Sequence, residues 1–107
     1  MTARLVFTTC PDEIIAARIA RALVERRLAA CVTRLPGAHS VYRWQGSIKE
    51  NTEVQLLIKT TLACEAALLD ALRELHPYTE PEAFAVPIEN GSSGYLDWIE
   101  AATELRG

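Results

Sequence analysis

Residues 4–35 read RLVFTTCPDEIIAARIARALVERRLAACVTRL, and this stretch decides the fold. Arg4 to Cys10 is apolar and β-branched, which reads as a first strand. Pro11 follows, at a first helical position where its missing N–H costs nothing. Asp12 and Glu13 then sit in the first turn, where negative charge complements the helix dipole. Ile15, Ile19, Ala22 and Leu23 recur at helical spacing and form an apolar stripe, with Arg18, Arg21 and Glu25 on the other face. Arg26 and Arg27 are expected in the last turn. Leu28 to Leu35 reads as the second strand. Strand, helix and strand within 32 residues make a βαβ beginning.

Working outward, Pro36-Gly37 is expected to break the second strand, which resumes from His39 to Gln45. Gly46 to Asn51 reads as a turn. Thr52 to Thr60 alternates cleanly, with Val54, Leu56 and Ile58 on one face and Glu53, Gln55, Leu57 and Lys59 on the other. Thr61 is placed to cap a second helix carrying Leu62, Leu68, Leu69, Leu72 and Leu75. His76-Pro77 ends it, because the residue before proline avoids helical geometry. Tyr78 to Glu82 reads as a loop. Ala83 to Ile88 reads as a short strand, placed at an edge because Pro87 lacks a ladder donor. A last helix carries Tyr95, Leu96, Ile99 and Thr103 at helical spacing.

The expected fold is α+β: a ferredoxin-like β-α-β-β-α-β sandwich with an extra C-terminal helix, forming one domain over residues 1–107 with strand order 4-1-3-2. Right-handed crossovers put both main helices on one side of the sheet. The other side then carries Leu5 or Phe7, Ala29, Cys31, Leu57 and the aromatics Tyr42 and Trp44, which is too much apolar surface to leave bare. Half of the 107 residues are hydrophobic, in keeping with a second face covered by a partner. Self-association is the simplest cover.

Composition excludes other classes. The net charge is −3 and the pI about 5.3, with no basic cluster, so no nucleic-acid partner is expected. No secretory signal and no run of membrane-spanning length is found, so no membrane partner is expected. Three irregularly spaced cysteines without a Cys-x-x-Cys pair read as free thiols in a reducing, cytoplasmic setting. No phosphate loop, catalytic triad or paired-carboxylate pattern appears, so no catalytic residues and no enzyme are expected.

Six residues and two metal-ligand types stand out. Cys10 precedes a helix start, whose positive end is expected to lower its pKa and favour thiolate, a ligand for soft metals. His76 offers an imidazole at a helix end, although the dipole alone explains a histidine there. Cys31 reads as packing, Cys64 as exposed and His39 as a surface residue. Tyr42, Trp44, Glu53, Lys59, Tyr78 and Glu82 form a second constellation. In the favoured reading they seal contacts between subunits; in the sharper one they line a cleft for a small charged ligand.

The stretch Leu23 to Gly46, LVERRLAACVTRLPGAHSVYRWQG, resembles the CutA divalent-cation-tolerance family. The likeness continues through Glu53, Ile58-Lys59-Thr60, His76-Pro77-Tyr78, Pro81-Glu82, Pro87-Ile88, Gly91 and Tyr95-Leu96-Asp97-Trp98-Ile99. It implies a tight homotrimer with inward-facing sheets, similar to the PII-type signalling proteins that bind small effectors between subunits. It implies a non-enzymatic role in the response to divalent metal ions, with copper or another divalent cation as the bound species and no cofactor needed for folding. Two alternatives are an effector-binding or signalling trimer that uses inter-subunit clefts, and a structural trimer that acts through protein contacts. Copper-binding members pair a first-strand cysteine with two adjacent histidines. Here Leu75 precedes His76, and Thr8 stands in the cysteine's place with Cys10 two residues later.

Overall fold

The computed structural model describes residues 2–104, so the ends of the expected 1–107 domain lie outside the described residues. The elements are β1 (Ala3–Cys10), α1 (Glu13–Glu25), β2 (Cys31–Trp44), β3 (Ser47–Thr61), α2 (Leu62–Leu75), β4 (Phe84–Pro87) and α3 (Ser93–Ala102). All pairings are antiparallel, in the order β2-β3-β1-β4, which is the ferredoxin-like order that the sequence predicts. β4 is an edge strand, and Pro87 pairs only with Arg4 of β1.

Helix α1 is set by its ends. The Asp12 side chain accepts the Ile15 N–H at 2.8 Å and is the N-cap, so Pro11 lies outside the helix rather than at its first position. At the other end, Arg26 is the C-cap and Arg27 adopts a left-handed φ of 59°. Leu28 N–H donates to Leu23 O and Arg27 N–H to Val24 O, a Schellman pair that turns the chain back toward the sheet. The two arginines therefore close the helix instead of filling its last turn, and β2 begins at Cys31 rather than Leu28.

Pro36-Gly37 does not break β2. Leu35 pairs with Gln55 and Ala38 with Glu53, so three steps on β2 match two on β3. The extra residue is a β-bulge, with Gly37 at φ +78°. The hairpin turn is also tighter than expected. Gln45 and Gly46 have φ of 49° and 82°, the two positive values that a two-residue I′ turn requires. β3 consequently starts at Ser47, and residues 47–51 are strand rather than turn. Pairing with β1 ends at Val54, so seven residues of β3 project with β2 beyond the sheet body, roughly 23 Å. The long dimension of the molecule, 45 Å against 28 and 21 Å, reflects this arm.

Helices α1 and α2 cover one side of the sheet. Val6, Cys10, Val54, Leu56 and Ile58 meet Ala16, Ile19, Leu23, Leu68 and Leu72 in the main core. A smaller core joins α3, through Leu96 and Ile99, to Ala3, Ala30 and Ile88. The other side carries cross-strand rows Val86–Leu5–Lys59–Cys31 and Phe84–Phe7–Leu57–Thr33. Phe7 stacks on Phe84 at 4.9 Å, yet Phe84 stays half exposed.

Candidate functional site

The structure brings Cys10, Glu53, His76 and Tyr78 to one end of the sheet. α2 stops at Leu75 because Pro77 follows, and His76 turns to extended backbone at ψ 139°. Its ring bridges two elements. The Tyr78 N–H donates to Nδ1 at 3.1 Å, so Nδ1 is the acceptor. Nε2 then carries the hydrogen and donates to the Thr9 carbonyl at 2.7 Å. Buried at 7% exposure, His76 ties the end of α2 to the end of β1 and leans on the Tyr78 ring at 4.7 Å.

That orientation sends the Tyr78 hydroxyl to Glu53, where it donates to Oε2 at 3.2 Å. Glu53 sits opposite Ala38, beside the β2 bulge and one residue past the end of β1. It is buried by its own chain at 7% exposure, while residues 47–52 of the same strand are exposed. Burial and the Glu53 carboxylate push the Tyr78 phenol up to about 12, with a smaller contribution from Tyr42. Tyr42 accepts a hydrogen bond from Asn51 at 2.5 Å across the hairpin.

Cys10 reverses its expectation. Burial, then the charges of Glu53 and Asp12, push its pKa up to about 11, so the thiol is held protonated. A fully buried thiol beside two carboxylates feels them more than the helix end. Asp12 is the residue that sequence reading took only as a helix residue; its place two residues after Cys10 was the available signal. Cys64 also differs from expectation. It is buried, and its Sγ donates toward the Arg27 and Thr103 carbonyls at 3.8 and 3.7 Å. His39 is exposed as expected.

The other three members of the constellation lie apart. Lys59 is six residues from Glu53 along β3, roughly 20 Å. Its Nζ donates to Thr33 Oγ1 at 2.6 Å and lies 3.9 Å from Cys31 Sγ. Trp44 stands at the hairpin tip, half exposed. Glu82 is exposed in the loop before β4.

Residues 4–102 match the family model described as CutA1 divalent ion tolerance protein. The chain belongs to that family. It is 48% identical over 98 residues to the human protein CutA, covering 92% of this chain but 55% of the human protein, so it spans about half the length of that relative. It is 46% identical over 98 residues to the divalent-cation tolerance protein CutA of Pectobacterium atrosepticum, covering 92% of this chain and 89% of that one. The crystal structure of CutA from Xylella fastidiosa superposes with a TM-score of 0.95 at 50% identity, covering 97% of this chain and all of that one. The fold and the divalent-cation-tolerance family are thereby established for this member.

The family description raises a metal ion, and the donors of a single chain do not fit one. Among the described residues, no three His, Cys, Asp or Glu side chains are grouped to hold an ion. Both His76 nitrogens are engaged, and Cys10 keeps its proton. A cavity of about 660 Å³ lies elsewhere, between the start of α2 and α3 at Thr61, Cys64, Glu100 and Thr103. Among these residues no helix is long and apolar enough to cross a membrane.

Proposed function

We propose that this chain works as a cytoplasmic homotrimer in divalent-cation tolerance, as a binding protein rather than a catalyst. Its working site is the cleft where Tyr42, Glu53 and Tyr78 meet a neighbouring subunit. The observation that carries this reading is the one-sided sheet. Helices α1 and α2 cover one face, while Phe84, Val86 and Leu35 on the other are 48%, 37% and 43% exposed. The projecting hairpin adds Val41, Trp44 and Ile48, each more than half exposed. Apolar surface of this extent on a small domain marks a protein interface. A closed ring of copies covers it without leaving a free edge. Light scattering after size exclusion should return about three times 11.8 kDa; a monomer at micromolar concentration refutes the assembly.

Copper held by Cys10 and His76 is the rival reading of the tolerance role. The two side chains do lie at the same end of the sheet, through the His76–Thr9 bond. An ion there must strip the Cys10 proton and displace the Tyr78 N–H from Nδ1. Calorimetric titration with Cu²⁺, Cu⁺ and Zn²⁺ separates the readings. Equal affinities for the wild type and the Cys10→Ala/His76→Ala double variant exclude that site; tighter wild-type binding assigns it.

A further inference from the structure

The cavity between the start of α2 and α3 has two walls of opposite electrostatic character. Thr61 ends β3 opposite Ala3 and is the N-cap of α2. An α-helix leaves its first N–H groups without acceptors of its own, and a threonine at this position ordinarily takes one of them. Leu62 N–H donates to the Thr2 carbonyl at 2.6 Å. Thr61 is only 5% exposed, yet its side chain makes no cap bond and has no partner among the described residues. The N–H groups of Ala63 and Cys64, next in line, therefore meet no cap oxygen, and all three residues line the cavity. A helix beginning in this state is an edge that receives negative charge. Glu65, also in the first turn, is held by Arg4 at 3.7 Å and does not line the cavity. The facing wall is α3 and the residues that follow it. Asp97, Glu100 and Glu104 recur at helical spacing and stand exposed at the cavity rim. Among the described residues none of the three belongs to an ion pair, and Glu100 accepts the Thr2 hydroxyl at 2.5 Å.

We propose that this cavity binds a zwitterionic α-amino acid with an apolar side chain. Its carboxylate meets the Thr61 hydroxyl and the Ala63 and Cys64 N–H groups, and its ammonium lies among the carboxylates of Asp97, Glu100 and Glu104. Each wall disfavours a simpler ligand. A plain anion is drawn to the start of α2 but repelled by three carboxylates. A plain cation leaves the α2 N–H groups and a buried hydroxyl unsatisfied. A ligand with both charges answers both walls, with charge-assisted hydrogen bonds at each end. Ala63, Cys64 and Ala101 then offer an apolar surface to the side chain. The cavity volume of about 660 Å³ falls within the range of about 300–1,000 Å³ of small-molecule sites. All of these residues come from one subunit, so the site is complete without a neighbour and stands apart from the Glu53 cleft.

The test is calorimetric titration of the intact protein at pH 7 with L-leucine, beside two analogues that each lack one charge. Isoamylamine lacks the carboxylate, and N-acetyl-L-leucine lacks the ammonium. Leucine should bind, and each analogue should bind at least tenfold more weakly. The triple variant Asp97→Asn/Glu100→Gln/Glu104→Gln changes only exposed side chains, so its circular dichroism should stay native while its affinity for leucine falls at least tenfold. A readout that needs no variant is the amide spectrum of the wild type, where leucine should shift the Ala63 and Cys64 resonances before any others. The absence of leucine binding overturns the proposal. So does equal binding of either analogue, an unchanged affinity in the triple variant, or first shifts elsewhere in the spectrum.

Discussion

Two threonines in the interior of the sheet should respond in opposite directions to the same change. Thr8 of β1 and Thr60 of β3 are both fully buried, on central strands. The Thr60 hydroxyl donates to the Leu28 carbonyl at 2.6 Å, helping to fix the segment that leaves α1. The Thr8 hydroxyl has no partner among the described residues. Replacing either by valine exchanges a hydroxyl for a methyl of similar size in a strand that favours β-branched residues. At Thr8 the change removes an unsatisfied buried group that costs about 1–3 kcal/mol and adds a methyl worth up to about 0.8 kcal/mol. Crowding by the methyl returns a part of this. The net expectation for Thr8→Val is a gain of about 1–2 kcal/mol. At Thr60 the change deletes a good hydrogen bond and strands a carbonyl, so Thr60→Val should lose about 1–2 kcal/mol after the methyl is credited.

The assay is urea unfolding of wild type and both variants at one fixed protomer concentration, since assembly makes stability concentration-dependent. With a slope of about 1–3 kcal/mol per molar urea, the two midpoints should move apart by roughly 1 M or more, Thr8→Val above wild type and Thr60→Val below. Shifts of the same sign would refute the reasoning. Thr8→Val less stable than wild type by more than about 0.5 kcal/mol would show that its hydroxyl is satisfied after all.

Cys10 makes a prediction for alkaline pH. Its folded pKa of about 11 lies above the ordinary thiol value of 9.0, so the folded state favours the protonated form. Its contribution, about 2–3 kcal/mol, is complete below pH 9 and is lost as the pH rises toward 11. Cys10→Ala should flatten the stability profile across that window; an unchanged slope assigns the loss to other groups. Thiol accessibility gives a second check: with a disulfide reagent at pH 8, Cys10 and Cys64 should react only on unfolding, and rapid labelling of Cys10 would contradict its burial. For assembly, Trp44→Ala removes a half-exposed ring from the hairpin tip and should lower the mass by light scattering while the far-ultraviolet circular dichroism stays native. Loss of secondary structure with no dissociated intermediate would contradict that order.

The sequence revealed what periodicity and local chemistry encode. Val54, Leu56 and Ile58 alternate with polar neighbours and do line the core, and Pro87 marks the edge strand it was expected to mark. It misled where backbone geometry overrides composition. Pro36-Gly37 has the composition of a breaker, but a bulge absorbs one residue and carries the ladder through. Gln45-Gly46 lacks the asparagine that announces a I′ turn, so the turn was set too late and the arm too short.

The candidate site shows the same division more sharply. Of the six residues that the sequence groups, Glu53 and Tyr78 are joined by a hydrogen bond, while Trp44, Lys59 and Glu82 lie apart from them. Lys59 shares the face pattern of Glu53 but not its place, since alternation reports which side a residue faces and not how far along the strand it lies. The charge state of Cys10 was illegible for a different reason. A helix start argues for thiolate, but Glu53 is 43 residues away in sequence, and only the pairing of β1 with β3 brings its charge to bear. His76 was weighed as a ligand because histidines bind metals. Its two hydrogen bonds give it a structural task, joining the end of α2 to the end of β1 and holding Tyr78 where its hydroxyl meets the buried Glu53 carboxylate.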